Sequence, residues 1–122
     1  MTKLFTIILF SFFSHQVLAA KMLVGITKDG SECAVRLPQE NDNILSFSYG
    51  HDGFGFVYSP EQLTTALKAG QNPIIIKGGD GPISAKLALN LNQDGSINSA
   101  VYTQWAVIIP KRVICDHFRI IE

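Results

Sequence analysis

A surplus of either charge is missing from this chain: ten Lys and Arg stand against ten Asp and Glu. So even a balance gives no electrostatic footprint for nucleic acid or for an anionic membrane. Cysteine is scarce. Two in 122 residues exclude a scaffold built from several bridges and any four-cysteine zinc centre. Long apolar runs are lacking as well. The stretch Leu4–Phe13, broken only by hydroxyl side chains, is about half the roughly 20 residues that a spanning helix needs. Neither the phosphate-loop pattern G-x-x-x-x-G-K-[ST] nor the nucleophile elbow G-x-S-x-G occurs. No low-complexity linker and no block of like charge marks an internal boundary.

What is present begins with an export signal. Met1-Thr2-Lys3 carries one positive charge, the apolar run follows, and Val17-Leu18-Ala19 ends on residues that a signal peptidase reads. Cleavage after Ala19 is expected, so residues 1–19 form the signal peptide and residues 20–122 the mature domain. No Cys sits at the cleavage site to carry a lipid, and no stable membrane anchor is expected after cleavage. Removing nineteen of 122 residues leaves 103, enough for a single domain with one core. Lys3 leaves with the signal, so nine basic residues remain against ten acidic ones. The compartment is periplasmic or extracellular.

In an oxidising compartment the pair Cys33 and Cys115 is expected to form a disulfide. It closes a loop of about eighty residues, worth roughly 4 kcal/mol in the chain-entropy account. A redox or metal-binding role would need closer spacing, C-x-x-C or a His cluster, and the sequence has neither. No metal and no cofactor is expected.

The remaining signals are mostly those of strands. Met22–Thr27 and Cys33–Leu37 flank Asp29-Gly30, a hairpin pattern. Leu45, Phe47 and Tyr49 alternate with Ser46 and Ser48, and Phe54–Tyr58 follows a turn at Gly50–Gly53. Ser59-Pro60-Glu61-Gln62 starts the one clear helix, with Leu63, Ala66 and Leu67 on one face and Gly70 as its stop. After Ile74-Ile75-Ile76, the run Gly78–Pro82 reads as a loop. Ile83, Ala85, Leu87, Leu89 and Leu91 share one face of the next strand. The return strand runs from Ile97 to Ile109, with Val101, Trp105, Val107 and Ile109 on a common face, and Pro110 interrupts or ends it. Lys111–Glu122 fits a strand or a helix, and its β-branched content favours the strand. The expected fold is α+β: a mostly antiparallel sheet of six to eight strands with one short helix, a partly closed barrel being its variant.

Chemistry is harder to find. Asp-Gly occurs four times, at residues 29, 52, 80 and 94, without the ligand density of a calcium loop, and turn chemistry explains it. The similar segments Lys28–Ser31 and Gln93–Ser96 read as two turns chosen by the same physics rather than a duplication. His51 beside Asp52 and His117 beside Asp116 are the histidines left after cleavage. The segment Tyr49–Tyr58 packs four aromatics among three glycines, and Tyr49, His51, Asp52 and Phe54 are its candidate binding residues for a sugar or a protein. No catalytic constellation is visible. The expected function is a non-catalytic binding or inhibitory module acting on another envelope or secreted protein. The alternatives are a small hydrolase-like enzyme using His51 or His117, and a structural subunit joined by edge-strand pairing.

Overall fold

The computed structural model describes residues 21–106 and 109–121; the expected signal peptide lies outside them. Eight antiparallel strands form one sheet: β1 (Met22–Ile26), β2 (Glu32–Arg36), β3 (Ile44–Tyr49), β4 (Asp52–Val57), β5 (Ile74–Asp80), β6 (Ile83–Leu91), β7 (Ile97–Ala106) and β8 (Ile109–Ile121). Their order is β4-β3-β2-β1-β8-β7-β6-β5, two four-stranded meanders joined through β1 and β8. The sheet curls into a nearly closed barrel. The final segment is therefore a strand, and Pro110 sits in its second position opposite Trp105.

The join is stepped. β8 pairs with β7 from Ile109 to Asp116 and with β1 from Asp116 to Ile121, so Asp116 alone has a strand partner on both sides. Cys115, next to the step, bridges to Cys33 on β2 across 82 residues of chain, with 6.0 Å between their Cα atoms. Both sulfurs are buried. The bridge thus ties the second strand of the domain to its last.

One helix, α1 (Pro60–Lys68), crosses from β4 to β5 at the end of the barrel opposite the Gly50 and Gly81 turns. Ser59 Oγ accepts a hydrogen bond from the Gln62 amide at 3.1 Å, while Gln62 Oε1 accepts from the Ser59 amide at 2.8 Å. That reciprocal pair satisfies two donors that a helix start otherwise leaves free. Leu63, Ala66 and Leu67 enter the same core as Val35, Leu45, Phe47, Leu87 and Tyr102. Gly70, at φ +68°, ends the helix by donating to Leu67 O.

Three local expectations are corrected. Gly78–Asp80 is not loop but the end of β5, and the turn is only Gly81-Pro82, because Asp80 pairs with Ile83. Gly78 has a steric reason: a methyl there would lie 3.0 Å from the Phe56 ring and 3.2 Å from the Phe54 ring, whereas one at Gly79 would lie 3.2 Å from the Ile83 carbonyl oxygen. These rings fill the seam where β4 and β5 face each other without a ladder. The turn between β3 and β4 is Gly50-His51, since Tyr49 pairs with Asp52; Asp52-Gly53 opens the strand. On β7 the buried residues are Ile97, Ala100 and Tyr102, whereas Trp105 is 38% exposed on the outer face. The cause is a bulge: Asn90 pairs with Ser99 but Leu91 with Ile97, which shifts the alternation by one residue. Asn72 holds that irregularity, its amide bonding both the N–H and the C=O of Leu91.

The two Asp-Gly-Ser turns close identically. Gly30 N donates to Thr27 O and Thr27 N to Ser31 O; Gly95 N donates to Asn92 O and Asn92 N to Ser96 O. The first turn joins strands one and two of its meander and the second joins strands two and three. Equivalent places in a duplicated unit would have to match, so the resemblance is turn chemistry.

Candidate functional site

The end of the barrel away from α1 is lined by a cluster of aromatic side chains. β3, β7 and β4 bring Phe47, Tyr49, Tyr102, Phe54 and Phe56 together beneath it. Phe47 and Tyr102 stack at 5.1 Å with 14° between their planes, and Phe54 meets Phe56 at 4.9 Å. Contacts of this kind add about 0.5–1.5 kcal/mol beyond the area they bury. Above the cluster lies a recess of about 310 Å³ rimmed by Tyr49, Asp52, Phe54, Tyr102, Gln104 and Lys111. Tyr102 Oη and Gln104 Oε1 are 2.7 Å apart, so the phenol is satisfied although its ring is buried.

Lys111 closes the rim. It stands on the inward face of β8, its Nζ 4.9 Å from the Tyr49 ring centroid and 3.6 Å from Asp52 Oδ2. Hydrogen bonding to Tyr49, assisted by the Asp52 carboxylate, raises its pKa above the usual lysine value and keeps it charged. Burial raises the Tyr102 hydroxyl above the usual tyrosine value. The rim therefore offers one fixed cation, one carboxylate, an amide and two phenols around an aromatic floor.

Of the residues expected from sequence, Tyr49, Asp52 and Phe54 meet at this recess. His51 does not line it; it is exposed at the β3–β4 turn. Tyr102, Gln104 and Lys111 are additions that sequence reasoning missed. The bulge before Ser99 hides the first two by changing parity. Lys111 lies beyond Pro110, where the ladder was expected to break.

The second histidine occupies a different place. Val24 pairs with Arg119 and Ile26 with Asp116, so one residue of β1 opposes two of β8. His117 takes up this bulge at φ +58°, a conformation rare outside glycine, and its side chain is exposed. Its Nδ1 is 2.7 Å from Asp116 Oδ1. The two line a cleft of about 470 Å³ with Ser96, Ser99 and Phe118. A third, shallower groove of about 620 Å³ lies where the short β1–β2 hairpin leaves the first half of β8 uncovered, beside Tyr49 and Asp29.

Among the described residues no three His, Cys, Asp or Glu side chains gather as a metal-binding group, and no helix is long and apolar enough to cross a membrane. No family model, curated protein or solved structure matches this chain.

Proposed function

We propose that this is an exported binding module whose open barrel end receives a protruding group of another envelope or secreted protein. The observation carrying the reading is the aromatic recess with its Tyr49–Lys111–Asp52 rim. Its volume of about 310 Å³ is at the bottom of the range for small-ligand pockets, the size of one side chain or one sugar ring. A floor of tyrosine and phenylalanine with a cation and an amide at the edge is what a buried anchor of a protein interface meets. The apolar leader and the Cys33–Cys115 bridge support an oxidising, extracytoplasmic setting.

The test is retention of a discrete protein from envelope extract by the immobilised domain, repeated with Tyr49→Ala and Lys111→Ala. Lys111 is exposed at the rim, so its variant should keep the circular dichroism and melting temperature of the parent while retention is lost; Tyr49 also packs against Phe47 and Tyr102, so Tyr49→Ala should lose retention together with some stability. A domain that retains nothing and turns over an ester or glycoside contradicts the reading.

One observation favours hydrolysis as a second reading: the left-handed His117 beside Asp116 in a serine-lined cleft. In that reading His117 acts as general base, held by Asp116. Substitution His117→Gln would abolish turnover and leave partner binding at the recess intact.

A further inference from the structure

The step in the sheet leaves part of β8 without a neighbour. β7 pairs with β8 from Ile109 to Asp116, but β1 reaches it only from Asp116 to Ile121. Among the described residues, none pairs with Lys111–Cys115 on the side away from β7. Every second residue of an antiparallel strand turns both its N–H and its C=O to the same side. Alternate residues of this stretch therefore offer free main-chain donors and acceptors. Water satisfies such groups singly, and an extended chain satisfies them as a row. Pro110, which has no N–H, bounds the stretch at one end, and Asp116 bounds it at the other.

There is room for that chain. Up to the Asp29-Gly30 turn, β1 and β2 stand between β8 and β3. Beyond it both are gone, and the groove of about 620 Å³ opens between Lys111–Ile114 and the Tyr49-Gly50 end of β3. Strands in a sheet lie about 4.8 Å apart, so a gap two strands wide admits one more beside β8.

The register specifies what the chain carries. Lys77, Lys86, Thr103 and Arg112 form one row across the outer face, and Ile75, Ala88, Val101 and Ile114 form the next. Both rows end at the open edge, so a strand added to β8 completes each. Three members of the first row are cations, and like charges opposite each other cost stability in a sheet. Among the described side chains, no carboxylate lies within ion-pair distance of any of the three; the ion pairs formed are Arg36–Asp42, Lys111–Asp52, Arg119–Glu32 and His117–Asp116. An acid opposite Arg112 supplies what this row lacks, and an aliphatic residue opposite Ile114 continues the apolar row. Lys28 and Asp29 also line the groove, and the Asp29 carboxylate is engaged by the Thr27 hydroxyl and the Ser31 amide. A second copy of this edge would instead bring Lys111 and Arg112 against the same two cations.

We infer that the Lys111–Cys115 edge of β8 takes up an extended segment of another protein as an added strand, with an acidic residue opposite Arg112 and an aliphatic one two positions away opposite Ile114. Main-chain hydrogen bonds supply the affinity and alternate side chains the selectivity. The cations and Pro110 turn away basic and neutral strands, so the edge is guarded against all but an acidic one. The groove shares Tyr49 and Lys111 with the recess, but Arg112 and the free edge do not belong to it. Either assignment can therefore fail while the other stands.

The test is amide hydrogen exchange of the oxidised chain, read residue by residue, with capped peptides as probes. One peptide is Thr-Val-Glu-Val-Ile-Thr and a second has Lys in place of Glu. Two further versions of the first carry N-methyl groups on alternate residues, each blocking one edge of the peptide. In the free chain, alternate amides of Lys111–Cys115 should exchange fast, and the Glu peptide should slow them. The Lys peptide should bind roughly tenfold more weakly, and Arg112→Glu should reverse that preference without changing the melting temperature. One N-methylated version should bind like its parent and the other should fail. Edge amides already protected in the monomeric chain, equal binding of the Glu and Lys peptides, equal behaviour of the two methylated versions, or no binding at millimolar peptide each overturns the proposal. Dimerisation that protects the same amides overturns it too, and assigns the edge to a second copy.

Discussion

Gly25 shows how one residue can hold several features at once. A methyl group there would overlap the Asp116 carbonyl oxygen and lie 3.0 Å from the Phe118 ring and 3.1 Å from Cys115 Sγ. The β8 bulge, the step in the sheet and the disulfide all press on that position. Gly25→Ala is expected to destabilise by about 2–3 kcal/mol, the scale of overpacking, and thermal unfolding measures it. Asp29 and Asp94 act in the opposite sense. Asp29 accepts hydrogen bonds from the Thr27 hydroxyl and the Ser31 amide, and Asp94 from the Ser96 hydroxyl and amide. These bonds, led by the Thr27 and Ser96 hydroxyls respectively, lower both carboxyl pKa values below 3.8. A depressed acid stabilises the fold above its unfolded pKa and loses that contribution as pH falls through the folded value. Denaturant titrations should therefore show stability falling below about pH 4, with a shallower fall in the double variant Asp29→Asn/Asp94→Asn.

At the scale of elements, what could be read from sequence was whatever depends on near neighbours. Ser59, Pro60, Gln62 and Gly70 specify α1 within a dozen residues, and the Asp-Gly-Ser turns likewise specify themselves. Ser59→Ala removes the cap and should cost about 1 kcal/mol, with loss of the Gln62 amide's protection from hydrogen exchange. Tyr49, Asp52 and Phe54 were legible for the same reason, standing together on one hairpin. Tyr102 and Gln104 were not, since a bulge held by Asn72 from 19 residues away sets which of their neighbours point inward. Gly78 and Gly79 read as loop because the reasons for them are on other strands, the rings of Phe54 and Phe56 for Gly78 and the Ile83 carbonyl for Gly79. Substituting Gly78 by Val should disrupt that seam. The outcome to measure is quenching or shift of the tyrosine and phenylalanine near-UV dichroism together with a lowered melting temperature.

For the whole molecule, the two meanders join along β1 and β8, and Asp116, one position from the disulfide, is the one residue of β8 paired on both sides. The bridge stabilises this junction by restricting the unfolded chain over 82 residues, worth about 4 kcal/mol in the chain-entropy account. Reduction should lower the midpoint of thermal unfolding by on the order of 20 °C for a domain of this size. On the proposed export, mass spectrometry should find a chain beginning at Ala20 or Lys21 and two hydrogen atoms lighter than its reduced form. Net charge averages over the row Lys77–Lys86–Arg112, which only the register assembles.

The open barrel end as the binding surface is tested most directly by site-specific photo-cross-linking in the envelope. A photoreactive residue at His51, exposed beside the recess, is compared with one at His117, in the serine-lined cleft. A single discrete adduct from position 51, abolished by Lys111→Ala and absent from position 117, is the predicted result. An adduct from position 117 alone, or none from position 51, would contradict it.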